Sequence, residues 1–137
     1  MATEADELEE LRQLKARYFR MMDTKNWEGL AQVFTDDVEI DVTGEGGGVT
    51  HSVADYIPFL RANIEDVITV HHGHMPEIEL TGPDTARGIW SMEDVVEFPD
   101  GRGIRGYGHY TEEYARVDGQ WRIRSIVLTR LRLDPLG

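Results

Sequence analysis

Cysteine is absent from this 137-residue chain. Disulfides, thiolate nucleophiles and every cysteine-based metal or cluster site are excluded with it. No apolar run approaches the roughly 20 residues needed to cross a bilayer. The opening "MATEADELEELRQLK" is acidic and helical in pattern, unlike a secretory leader, so a cytoplasmic location is the expectation. Basic residues are also scarce: 14 Lys and Arg stand against 26 Asp and Glu, a formal charge of −12. Such a surface repels phosphate backbones and anionic lipid, so neither nucleic acid nor membrane is an expected partner. There is no linker, repeat or low-complexity block. What is present is an ordinary globular composition, 40% hydrophobic and 29% charged. The length suits one domain over residues 1–137 with a modest core.

Periodicity divides the chain into helices first and strands last. Residues 5 to 22 predict a helix, with Leu8, Leu11, Leu14 (or Lys15), Tyr18 and Met22 on one face. Acidic residues crowd its start, and Lys15, Arg17 and Arg20 its end, which complements the helix dipole. Residues 26 to 34 predict a short second helix with Asn26 as N-cap, Trp27 and Leu30 facing inward and Phe34 near its end. "DDVEIDVTG" alternates Val38, Ile40 and Val42 as a strand does, and "GEGGG" after it reads as a flexible loop. A third helix is expected from Ser52 to Glu65, then strands over 67–80, 85–98, 103–117 and 120–132. "VDGQW" is the strongest hairpin signal, because Asp-Gly suits the primed turns that match strand twist. The fold class is α+β with a mostly antiparallel sheet.

Three segments invite a chemical reading. "GRGIRG", Gly101 to Gly106, matches G-x-G-x-x-G, but it leads into a strand rather than a helix, so it reads as a hairpin connection and not a dinucleotide loop. "HHGH" holds three of the five histidines. On a strand His71 points one way while His72 and His74 point the other. The latter pair is half of a zinc ligand set with no evident completion, so no metal is expected and the pair reads as an outer polar face. In "ARGIWSMEDVVEF" the row Ala86, Gly88, Trp90, Met92, Asp94 and Val96 is apolar or small except for Asp94. Either the register is off by one residue, exposing Asp94 and burying Glu93, or Asp94 faces a cavity with a histidine as partner. Tyr18 on the first helix face, Asp23 just after it and Arg130 in "LTRLRL" pose similar questions. Each also has an ordinary structural explanation: core, turn residue and snorkelling strand arginine.

The segments "KARYFRMMDTKNWEGL", "FTDDVEID", "TVHHGHMPEIEL", "GIWSMEDVV", "GYGHYTEEYARVDGQWRI" and "LTRLRL" resemble the nuclear transport factor 2-like (cystatin-like) superfamily over nearly the whole chain. Within it the chain is similar to the SnoaL-like group, most closely to the branch containing bile-acid 7α-dehydratase, and more distantly to scytalone dehydratase. The resemblance implies three N-terminal helices packed in a strongly bent sheet, a cone with a pocket at its open end. The family's catalytic tyrosine, aspartate, histidine, second aspartate and arginine fall on Tyr18, Asp23, His71, Asp94 and Arg130. Arg132 is a nearby competitor for the last position.

Those residue types suit removal of water from a hydroxyl placed β to a carbonyl, or vinylogous to one. His71 would take the C–H proton while Asp94 or Asp23 fixes its tautomer. Tyr18 would donate to the carbonyl oxygen or the leaving hydroxyl, and Arg130 would balance the carboxylates. Trp27, Phe34, Tyr56, Phe59, Met75, Trp90 and Met92 are the expected lining for a small hydrophobic ring substrate, steroid- or polyketide-like. No metal or organic cofactor is required. A ketosteroid-type isomerase, a polyketide cyclase, an epoxide hydrolase or a non-catalytic binding or assembly domain are the alternatives on the same fold. Self-association as a dimer or trimer through the sheet's outer face is also expected.

Overall fold

The computed structural model describes residues 1–137. Helix α1 (Glu4–Asp23) begins at a capping box, in which Thr3 and Asp6 each accept the other's backbone N–H. Leu11, Leu14, Lys15, Tyr18 and Met22 form its buried stripe. The sequence pattern offered Leu14 or Lys15; the helix buries both. Helix α2 (Trp27–Ala31) is capped by Asn26, as expected, but is shorter than its pattern. Phe34 does not close that helix; it opens strand β1 (Phe34–Asp41). Pairing decides this, since Ile123 N–H donates to the Val33 carbonyl and Phe34 sits opposite Ile123. Sheet formation overrides a weak helical preference here.

A 3-10 turn (Thr43–Glu45) and the two-residue strand β2 (Val49–Thr50) lead to helix α3 (Val53–Ile64), capped by Ser52. Strands β3 (Ile68–Gly82), β4 (Thr85–Glu97), β5 (Gly103–Val117) and β6 (Gln120–Leu136) then run antiparallel to one another. The largest departure from the sequence reading is the end of β6, which continues to Leu136. The sheet order is β2-β1-β6-β5-β4-β3, with one parallel contact, β1 against β6. In the β5–β6 hairpin Asp118 and Gly119 both take positive φ, 52° and 78°, as a primed turn requires.

The sheet is not closed, and it curls around α1. That helix reaches edge strand β3 through Asp23, β5 through Lys15, and β6 through Glu7, whose carboxylate accepts from the Trp121 indole N–H. Leu11, Leu14, Phe34, Trp90, Tyr114, Trp121 and Ile123 fill one end of the concave side. The other end, between α1, α3 and the strands, holds a cavity of about 790 Å³.

Candidate active site

The last residue of α1 carries the first site group. An aspartate at a helix C-terminus opposes the helix dipole at a cost of about 0.3–1 kcal/mol. Asp23 is held there by hydrogen bonds from β3. Its Oδ2 accepts from His71 N–H at 2.8 Å, and its Oδ1 accepts from the Thr69 hydroxyl at 2.9 Å. His71 Nδ1 lies 2.6 Å from the same Oδ1. Lys25 Nζ donates to Thr69 Oγ1 at 2.7 Å, which orients that hydroxyl toward Asp23. Burial lowers the Lys25 pKa, and the charge of Asp23 works against that shift. With Asp23 ionised, the short contact needs a proton on Nδ1. The lone pair of Nε2 then faces the cavity. Phe19 stacks on the imidazole, at 6.2 Å between centroids and 15° between planes, and fixes its plane.

Strand register supplies the second pair. His71 sits opposite Asp94 on β4, and Asp94 is 3% exposed while Glu93 is half exposed. Of the two explanations for an aspartate in an apolar row, the inward one holds. Arg130 neutralises Asp94 through a two-pronged bond, Nη1 to Oδ1 at 2.8 Å and Nη2 to Oδ2 at 3.0 Å. Its Nε and Nη2 also reach Glu45 Oε2, each at 2.7 Å. Burial would lower the Arg130 pKa, but the bonds from Asp94 and Glu45 leave it above the ordinary arginine value. Arg132 lies past a bulge in β6, exposed and paired with Asp134, so it does not share this role. Asp94 Oδ2 stands 3.8 Å from His71 Nε2, close enough for charge and too far for a hydrogen bond. Three carboxylates and two cations leave this cluster one negative charge with His71 neutral. Protonating His71 balances it.

The Asp94–Arg130 fork exists because Gly106 faces it. A Cβ on that residue would run into Arg130 Nη1 and lie 2.6 Å from Asp94 Oδ1. Gly106 is the last glycine of "GRGIRG", so a motif with no dinucleotide role still has a structural one at the site.

Tyr18, Tyr56 and Tyr110 bring three phenols to the cavity from α1, α3 and β5. Burial holds the hydroxyls of all three above the ordinary tyrosine range, so each is a neutral donor. Beneath Tyr18 and Tyr110 lies Lys15, its ammonium 3.7 Å and 3.8 Å from the two ring centroids. Lys15 is wholly buried and ion-paired with Glu112, which also accepts from the Tyr114 hydroxyl. That hydroxyl in turn accepts from the Trp90 indole N–H.

Tyr18, His71, Asp94 and Arg130 therefore line one cavity, and Asp23 stands directly behind His71. The expected hydrophobic lining is largely elsewhere. Tyr56 and Phe59 line the cavity, Phe59 at its half-exposed mouth. Trp27 and Phe34 belong to the packed core, and Trp90 is tied to Tyr114 in that same layer. Met92 packs its sulfur 3.6 Å from Arg130 Nη1, outside the lining. Met75 is corrected outright: it is 90% exposed with φ 41°, turned outward by the bulge between His74 and Glu77. The apolar walls come instead from Met22, Ile40, Leu60, Ile64, Val96, Ile126 and Leu128. Residue-by-residue reasoning missed Glu45, Thr69, Lys25 and Tyr110. Glu45 had one sequence signal, as the single charge within a glycine run.

A part-buried histidine–aspartate dyad, phenol donors and a guanidinium-paired carboxylate stand around an apolar cavity inside an α+β cone, a candidate acid–base site. The SnoaL-like domain family matches residues 3–127, and the chain belongs to that family, within the nuclear transport factor 2-like superfamily. It is 23% identical over 129 residues to a protein named "Probable cyclase FGR4" from Gibberella zeae, covering 85% of this chain and 86% of that one. A solved hexachlorocyclohexane dehydrochlorinase (LinA, type 2) superposes with a TM-score of 0.85 at 22% identity, over 96% of this chain and 89% of its own. A Novosphingobium aromaticivorans protein provisionally named a scytalone dehydratase gives 0.85 at 21% identity, over 93% and 86%. These superpositions establish the shared fold. Neither the family match nor these superpositions single out the bile-acid 7α-dehydratase branch.

Proposed function

We propose that this protein is a cofactor-independent lyase that eliminates water from a hydroxy-carbonyl compound built on a hydrophobic ring skeleton. The observation that carries the reading is the Asp23–His71 dyad, whose Nε2 opens on an apolar cavity shared with Tyr18. In the proposed reaction His71 Nε2 takes the proton α to the carbonyl, and Asp23 stabilises the imidazolium through Nδ1. Negative charge moves to the carbonyl oxygen, where the Tyr18 hydroxyl donates to it, with Tyr56 or Tyr110 close by. The enolate then collapses, the C–O bond to the hydroxyl breaks, and the departing oxygen takes the Nε2 proton. Enone and water leave, and His71 is neutral again. One base serving both steps requires proton and hydroxyl on the same face of the substrate. Arg130 binds both oxygens of Asp94 and has no proton of its own to give, so the pair contributes field rather than proton transfer. A cavity of about 790 Å³ lies within the roughly 300–1,000 Å³ range of small-molecule sites.

The cyclase and dehydrochlorinase names of the relatives suit the same opening step, abstraction of a proton from carbon. The epoxide hydrolase alternative is weakened by one contact: Asp23 is bonded to His71, so Arg130 is shared by Asp94 and Glu45 rather than by two aspartates around a water. Product analysis with β-hydroxy ketones, enones and epoxides separates the reactions. On a turned-over substrate, His71→Ala and Tyr18→Phe should each cut kcat by about 10²-fold or more with the fold intact. Full activity in His71→Ala would remove the assigned base.

A further inference from the structure

We propose that His72, His74 and Glu93 form a binding site for a divalent transition-metal ion of zinc-like softness on the outer face of the sheet. The sequence offered the two histidines as half a ligand set; register supplies the third donor. Alternation along β3 turns His72 and His74 outward, and Glu93 on β4 is the cross-strand partner of His72. The Glu93 Oε1 atom lies 3.5 Å from His72 Nδ1 and 3.6 Å from His74 Nε2. All three donor atoms fall within 4.8 Å of one another. Ligands of a tetrahedral zinc ion, with bonds of about 2.0–2.1 Å, stand about 3.4 Å apart. Two edges of the triangle are thus already at ligand spacing, and small rotations of the imidazoles close the third. The side chains are about half exposed, so neither packing nor desolvation resists that adjustment.

The donor set selects the ion. Two imidazoles and one carboxylate favour zinc, nickel, cobalt or copper, whereas calcium and magnesium prefer oxygen donors alone. Three protein ligands leave at least one coordination position for water or for a donor from another molecule. The site is separate from the cavity, and the proposal does not rest on any reading of the reaction. It does touch the same register, because the pair His72↔Glu93 adjoins the pair His71↔Asp94. An ion held outside would clip β3 to β4 where they present the inner pair.

The test is calorimetric titration of the metal-stripped full chain with Zn²⁺ alone. The wild type should take up one ion per chain. His74→Ala and Glu93→Gln should each weaken that binding by about tenfold or more, because metal affinity resides in the deprotonated ligands. His51→Ala removes a histidine that is 72% exposed and sits elsewhere, and it should bind as the wild type does. Circular dichroism checks that each variant is folded, and Zn²⁺ should raise the melting temperature of the wild type and of His51→Ala only. Wild-type uptake no greater than that of Glu93→Gln would overturn the proposal, as would loss of binding in His51→Ala. The first result would mean that Zn²⁺ is taken up diffusely by the acidic surface, the second that it is held at His51 instead.

Discussion

Lys15→Met tests how the floor of the cavity is built. Methionine keeps the length of the stem and removes the charge. It leaves the Glu112 carboxylate buried, with only the Tyr114 hydroxyl donating to it at 2.7 Å. Breaking one partner of a buried ion pair costs about 3–5 kcal/mol. The ammonium also sits over the rings of Tyr18 and Tyr110, and such contacts are worth about 0.5–2 kcal/mol. These losses overlap, because the same desolvated charge makes both contacts. The Tyr114 bond offsets part of them, since a hydrogen bond to a charged group contributes about 1.5–3 kcal/mol. The net expectation is a loss of about 3 kcal/mol, a large share of the 5–15 kcal/mol typical of a folded domain. Lys15→Met with Glu112→Leu removes both charges. That double variant should return to within about 1–2 kcal/mol of the wild type, because an apolar pair of similar volume replaces an ion pair at little cost. Urea unfolding followed by the fluorescence of the three tryptophans measures both. A single variant that loses less than about 1 kcal/mol, or a double variant as unstable as the single, would refute this account of the pair.

Asp23→Asn should keep the fold and lower kcat by about 10²–10⁴-fold on an identified substrate, because it removes the charge that fixes the tautomer and supports the imidazolium; steady-state kinetics checks this. Gly106→Ala should cost about 1–3 kcal/mol in chemical denaturation, since the new methyl overpacks the Asp94–Arg130 fork. Activity should fall with it, while Gly101→Ala, in the open turn, should leave activity unchanged. Tyr18, Tyr56, Tyr110 and Tyr114 all have pKa values raised by burial above the ordinary value of 10.0. A raised folded pKa means that the unfolded chain loses its proton first, so this contribution is fully present below about pH 10 and is lost as pH rises beyond it. Stability should therefore decline above pH 10 by up to about 1.4 kcal/mol per pH unit for each tyrosine. Absorbance near 295 nm should show these four phenols titrating only with unfolding.

Much of this architecture is legible in the chain because hydrophobic period and turn chemistry are local. The stripe Leu11, Tyr18, Met22, the Asp118-Gly119 turn and the alternation around Trp90 each announce their element without reference to the rest of the molecule. The positions of His71 and Asp94 follow from alternation once strand β4 is placed, which is why an aspartate in an apolar row could be singled out. Lining residues are another matter. Trp27, Phe34, Trp90 and Met92 do face inward, but an inward face is divided between packed core and cavity by contacts distant in sequence, and no periodicity marks the division. Met75 fails for a different reason: a bulge resets the alternation after His74, and its backbone takes a conformation that a non-glycine sequence does not advertise. Glu45 escaped because its partner Arg130 lies 85 residues away.

The pairing of β3 with β4 raises a point about specificity. Adjacent positions carry His71 and His72 on one strand, Glu93 and Asp94 on the other. A one-residue slip of both strands would still offer a histidine and a carboxylate to the cavity, so these residues alone do not choose the register. The apolar row does. Ala86, Trp90, Met92 and Asp94 are buried on β4, whereas Arg87, Ile89 and Ser91 between them are exposed. A slip would bury Arg87 and turn Trp90 to solvent, giving up about 1.5–3 kcal/mol or more for each large apolar side chain removed from the core. It would also take Asp94 out of reach of Arg130 and break their two-pronged bond. Packing therefore selects the register, and the selected register is the one that sets His71, the proposed base, opposite Asp94 at the cavity.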